Sequence, residues 1–123
     1  MEQIKNFWEL EAWKKANVLA IEIYILTKNF PLEEKYGMIS QLRRAATSVA
    51  ANIAEGFSRY HYKDKIKFYY NGRGSASEVQ SFIIFCKHIG FVDAKRALEI
   101  VGKYNEELRL LNGLINSISK QIS

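Results

Sequence analysis

Proline and cysteine each occur once in these 123 residues, and histidine twice. Each scarcity removes a class of protein. A lone Pro31 leaves long stretches free for uninterrupted helix. A lone Cys86 excludes an internal disulfide and suits a reducing compartment. His61 and His88 are too few for a Cys/His metal site, and Cys86 and His88 would point to different sides of a helix. Neither histidine has an acid three residues before it, so the Glu-x-x-His pattern of di-iron bundles is missing. No arginine is followed by four to six residues and then a histidine, the pattern of ribonuclease bundles of the HEPN class. Gly72-Arg73-Gly74 lacks both a preceding strand and the Lys-Ser/Thr pair of a phosphate loop. Glu33-Glu34 reads as a dipole-compensating pair at a helix start. No catalytic set is found, no cofactor is implied, and the expectation is a protein that is not an enzyme.

Long apolar runs are absent too. No stretch approaches the ~18 residues that a membrane-spanning helix needs, and Val18–Leu26 is broken by Glu22. No apolar run follows a basic start, so no signal peptide is expected, and the chain reads as cytoplasmic with no membrane contact. What is present is 48% hydrophobic and 25% charged residues, the balance of a soluble globular domain. The length suits one domain over residues 1–123. The net charge of +5 serves solubility or an anionic partner, RNA or DNA.

Apolar residues recur at spacings of three and four. The first helix is expected from about Phe7 to Lys28, with Leu10, Trp13, Ala16, Ala20, Ile23 and Thr27 on one face. Val18, Ile21 and Ile25 widen its apolar surface, as in a helix that is central or packed against another subunit. A second helix is expected from Glu34 or Lys35 to Phe57 or Ser58, with Gly56 as a cap or hinge. A third runs from Tyr62 to Ile89, unbroken despite Gly72 and Gly74, and Gly90 ends it. A fourth follows Asp93 as N-cap; Ala97, Val101, Tyr104, Leu108, Leu111, Ile115 and Ile118 form its heptad seam. The expected fold is all-α, an antiparallel up-down-up-down four-helix bundle.

Gln41 to Gly56 is unusual. Small residues fill it, and Gln41, Arg44, Ser48, Asn52 and Glu55 recur among them at helical spacing. With Arg43 and Glu78 they form either an internal polar network or a binding face. The structural role is favoured: Arg44 is expected to pair with Glu78 of the third helix, while Gly72, Gly74, Ser75 and Ser77 let helices approach.

Several motifs then carry a resemblance. Phe7, Leu10, Trp13 and Ala16 are followed by Phe30-Pro31, Glu34 and Tyr36-Gly37. Next come Gln41, Arg43-Arg44-Ala45-Ala46, Ser48 and Asn52-Ile53-Ala54-Glu55-Gly56, then Gly74-Ser75-Ala76 and Glu78. In this order the chain resembles the bacterial four-helix-bundle family, also called 23S rRNA intervening-sequence proteins. Ala51 departs from the proline common in that family, which should make the second helix straighter. The resemblance implies a ring-like homo-oligomer, a pentamer, and kinship with the basic accessory protein of diversity-generating retroelements. It brings no established activity, and its link to rRNA is genomic.

The segment most suited to an anionic partner is Arg59 to Arg73. Arg59, Lys63, Lys65, Lys67 and Arg73 face one acid, Asp64, with Tyr62 and other tyrosines interleaved. Cations neutralise phosphates and aromatics stack on unpaired bases. Replacing Lys65 and Lys67 by glutamate is expected to weaken RNA binding without melting the fold. Two functions follow: an RNA-binding oligomer that acts with rRNA or an RNA-processing partner, or a protein-interaction ring with no nucleic-acid role.

Overall fold

The computed structural model describes residues 3–122. The three- and four-residue apolar spacing produces four helices: α1 (Glu11–Thr27), α2 (Met38–Ser58), α3 (Tyr62–His88) and α4 (Ala94–Ile122). No strand occurs among the described residues. Pairings between helices run in opposite numerical directions. Ser48 meets Ser75 and Gly56 lies under Tyr69 across α2 and α3. Gln80 meets Val101, and Arg73 meets Asn112, across α3 and α4. Lys15 pairs with Glu106, and Glu22 with Lys103, across α1 and α4. Neighbours are therefore antiparallel, and the chain is an up-down-up-down four-helix bundle.

Helix ends moved where a carboxylate found a better use. Residues Phe7–Glu9 form a 3₁₀ turn, and the Glu9 carboxylate accepts the Asn6 backbone N–H at 2.7 Å. Leu10 is extended, so α1 starts only at Glu11. Leu32–Glu34 forms a second 3₁₀ turn after Pro31, and Glu34 Oε1 caps α2 by accepting the Met38 N–H at 3.0 Å. The helix expected from Glu34 or Lys35 thus begins at Met38. α3 is continuous through Gly72 and Gly74. Gly90, with φ of +85°, ends it, and the Phe91 N–H returns to the Cys86 carbonyl at 2.8 Å. Asp93 Oδ1 accepts the Arg96 N–H at 2.8 Å and caps α4.

Leu19, Ile23, Leu42, Val49, Ile53, Val79, Ile83, Ile100, Tyr104 and Leu111 fill one core. Cys86 is buried in it, its thiol pushed up to about 11 by burial and by the Glu34 charge. Gly56 is neither hinge nor cap. It is buried on the α2–α3 seam, where the Tyr69 ring lies against it. Val18, Ile21 and Ile25 stay exposed on the outer face of α1.

One core position was not foreseen. Glu107 is fully buried on α4, and both its carboxylate oxygens lack a hydrogen-bond partner among the described residues. Burial raises its pKa to about 8, against a smaller opposing pull from Lys15. The Tyr104 hydroxyl one turn away is likewise buried and unpartnered, and burial raises its pKa with help from the Glu107 and Glu22 charges.

Candidate nucleic-acid interface

The segment from Arg59 enters α3 at Tyr62, and α3's turn geometry divides its cations between two sides. Lys63, Lys67 and Tyr70 are exposed and fall on one stripe at spacings of four and three. Lys65 points the other way. Its Nζ donates to the Phe57 carbonyl at 2.6 Å and the Gly56 carbonyl at 3.5 Å, and it lies 5.5 Å from the centre of the Phe57 ring. These are end carbonyls of α2, so Lys65 is a C-terminal cap. Its burial lowers its pKa. The expectation that Lys65 belongs to an open patch is corrected: the carbonyls at the end of α2, Phe57 above all, claim its ammonium.

Arg59 stacks over Phe68 at 4.7 Å and pairs with Glu55 at 3.3 Å, a solvent-screened surface pair. Arg73 stacks on Tyr70 at 4.8 Å and donates to Asn112 Oδ1 at 3.0 Å. Tyr60 and Tyr62 are exposed, whereas Tyr69 is in the core with its pKa raised by burial to about 12. Lys63 and Lys67 have no acidic partner within salt-bridge distance among the described residues. Both sit in the first two turns of α3, where the helix dipole already presents positive charge and cations are unfavourable. The N-cap, His61, supplies no side-chain cap bond, and Asp64 is the one acid in the first turn. A cleft of about 400 Å³ beside this start is lined by His61, Tyr62, Lys63, Asp64, Gln121 and Ile122. The result is a locally positive end of the bundle with exposed aromatic rings.

The polar stripe of α2 resolves into separate contacts. Ser48 and Ser75 share a hydrogen bond of 2.9 Å, and Asn52 Nδ2 donates to the Ser48 carbonyl at 2.8 Å and its hydroxyl at 3.0 Å. Of these, only the Ser48–Ser75 bond joins α2 to α3; the Asn52 bonds stay within α2 and hold the Ser48 hydroxyl in place. Arg43 instead joins α2 to α1: its Nε donates to Thr27 Oγ1 at 2.9 Å and its Nη2 to the Tyr24 carbonyl at 3.3 Å. Gln41 is exposed. The expected Arg44–Glu78 pair does not form. Both residues are exposed at the rim of the α2–α3 seam, and Arg44 reaches only the Ser40 hydroxyl, at 3.5 Å. Water screens the two charges there, so nothing draws the side chains together. Gly72 is buried against Val49 and Asn52, while Gly74 and Ser77 face outward.

Among the described residues, no group of three or more His, Cys, Asp or Glu side chains could hold a metal ion. No helix there is long and apolar enough to cross a membrane.

The family model of the 23S rRNA-intervening sequence protein matches residues 8–113. The chain belongs to this family. A crystal structure from Bacteroides thetaiotaomicron VPI-5482, described as a protein with unknown function from the S23 ribosomal protein family, is similar to it with a TM-score of 0.75. That likeness covers 85% of this chain and 97% of the other at 21% identity, and it shows the fold alone. No curated protein matches the chain. For a 23S rRNA-intervening sequence protein, the motif residues Phe7, Trp13, Arg43, Ser48, Asn52 and Gly56 thus serve the bundle through packing and inter-helix bonds.

Proposed function

We propose that this family member is a non-catalytic, cytoplasmic RNA-binding protein whose contact surface is the exposed face at the start of α3. The observation that carries this is the Lys63–Lys67–Tyr70 stripe, with Arg59, Tyr60, Tyr62 and Arg73 around it. Its two lysines lie where the helix dipole disfavours them and lack acidic partners among the described residues. Phosphates would relieve that repulsion, and the tyrosines offer stacking faces to unpaired bases. Homo-oligomeric assembly, a pentameric ring, would repeat the stripe around an axis and multiply its field. An electrophoretic shift with single-stranded RNA tests it. Lys63→Glu with Lys67→Glu should weaken binding at least tenfold at unchanged Tm; equal affinity would refute the interface.

One observation favours a second function, a ring that contacts only proteins. Val18, Ile21 and Ile25 expose an apolar strip on α1, and Ile84 and Leu98 line an apolar groove between α3 and α4. RNA binding absent at low salt, together with a stable oligomer, would select it.

A further inference from the structure

At the opposite end of α2 from the α3 stripe, Tyr24 of α1, the α1–α2 loop and the first turns of α2 line an open cleft of about 380 Å³. That size is within the range of small-ligand sites. Its polar lining is cationic, hydroxylic and aromatic: Lys35, Arg43 and Arg44, Ser40 and Thr47, Tyr24 and Tyr36. No acid lines it. Glu34, in the same loop, is committed to the Met38 N–H.

Arg43 is the fixed element. Its guanidinium lies 4.5 Å from the centre of the Tyr24 ring, and two of its donors are held by the Tyr24 carbonyl and the hydroxyl of buried Thr27. Thr27 itself is anchored, donating to the Ile23 carbonyl at 2.8 Å. A guanidinium has five N–H donors, so three remain for a ligand. A planar arginine locked in place loses little entropy on binding an oxyanion. Lys35 and Arg44 bring two further charges with no salt bridge of their own among the described residues. Tyr36 is 88% exposed, with Lys35 5.5 Å from its ring centre. Solvating so bare a tyrosine gains the fold nothing, but the ring is a ready stacking surface.

We infer that this cleft is a nucleotide site: Arg43, Arg44 and Lys35 hold a phosphate monoester while an aromatic base stacks on Tyr36. The ligand is either a free nucleoside monophosphate or the phosphorylated 5′ end of a strand. A terminal phosphate monoester carries more charge than an internal diester, which suits three cations lining one cleft. The site is separate from the α3 stripe. Arg44 and Arg59 are fifteen residues apart along α2, about 22 Å at helical rise. The two can therefore fail independently.

Isothermal titration of the full chain tests the site with five probes: AMP, adenosine, inorganic phosphate, and a short oligoribonucleotide with a 5′-phosphate or a 5′-hydroxyl. AMP or the 5′-phosphorylated strand should bind at least tenfold more tightly than its unphosphorylated counterpart. Binding of AMP marks the free nucleotide as ligand, and binding of the phosphorylated strand alone marks the strand end. Lys35→Ala with Arg44→Ala should weaken that binding tenfold or more, and Tyr36→Ala should weaken it severalfold. Neither change removes a buried contact, and Lys63→Glu with Lys67→Glu should leave AMP binding, and the strand's preference for a 5′-phosphate, intact. No preference for the 5′-phosphate, inorganic phosphate binding as tightly as AMP, or indifference to the Lys35/Arg44 change would each overturn the site.

Discussion

An alanine at Gly56 would place its Cβ 2.7 Å from Tyr69 Cε1 and 3.1 Å from the Lys65 carbonyl oxygen. Gly74, on the outside of α3, would meet nothing within 4 Å. The same substitution should therefore act with opposite sign. Gly56→Ala is expected to destabilise by about 1–3 kcal/mol, because the buried ring and the backbone cannot both retreat. Gly74→Ala should stabilise by about 0.5–1 kcal/mol through helix propensity alone. Chemical denaturation of both variants checks the pair. Glu107 makes a pH prediction. Its folded-state pKa of about 8 lies above the ordinary 4.5, so the native state keeps a proton that the unfolded chain releases. Its contribution to stability is full below the ordinary value and is lost as pH climbs to about 8. Glu107→Gln keeps a neutral side chain of the same shape. It should gain a few degrees of Tm over the native chain above pH 8 and little in acid. A Tm difference independent of pH would contradict a protonated Glu107. None of this was legible in the sequence: Glu107 is one step off the heptad seam, beside Glu106, and adjacent glutamates read as a solvated face.

At the scale of elements, spacing and punctuation carried most of the fold. Four helices, the continuity of α3, the Gly90 stop and the Asp93 cap all follow from local rules, since each depends on residues within one turn. The helix starts at Glu11 and Met38 did not follow, because Glu9 and Glu34 cap from within 3₁₀ turns that periodicity cannot see. Nor did the division of the Arg59–Arg73 cations. Lys65 and Lys67 look alike in sequence, and only the Phe57 carbonyl at the end of α2 separates them. Lys65→Met should thus cost about 1 kcal/mol of stability, while Lys67→Met should leave Tm unchanged within error. Equal effects on thermal melting would remove the capping role. The Arg44–Glu78 pair failed for a related reason: matched level on two antiparallel helices does not turn two exposed side chains toward each other.

For the whole molecule, the apolar surfaces left on the bundle bear on assembly. Val18, Ile21 and Ile25 are each more than half exposed and share one side of α1, the kind of apolar surface that a partner can cover. If this strip joins copies of the chain, Ile21→Glu should lower the sedimentation coefficient in analytical ultracentrifugation without changing helix content, and an unchanged coefficient would contradict that interface. The motifs made the family legible, and several of them, such as Arg43, Ser48 and Gly56, lie where the helices touch. Function was less so, because the residues that would meet a partner are ordinary lysines and tyrosines whose meaning depends on which side of a helix they occupy. The salt dependence of RNA affinity tests that meaning most directly. If the start of α3 contacts phosphates, log Kd should rise linearly with log salt, and Lys63→Glu with Lys67→Glu should reduce the slope by at least ~1. An affinity independent of salt, or a slope untouched by the two changes, would contradict it.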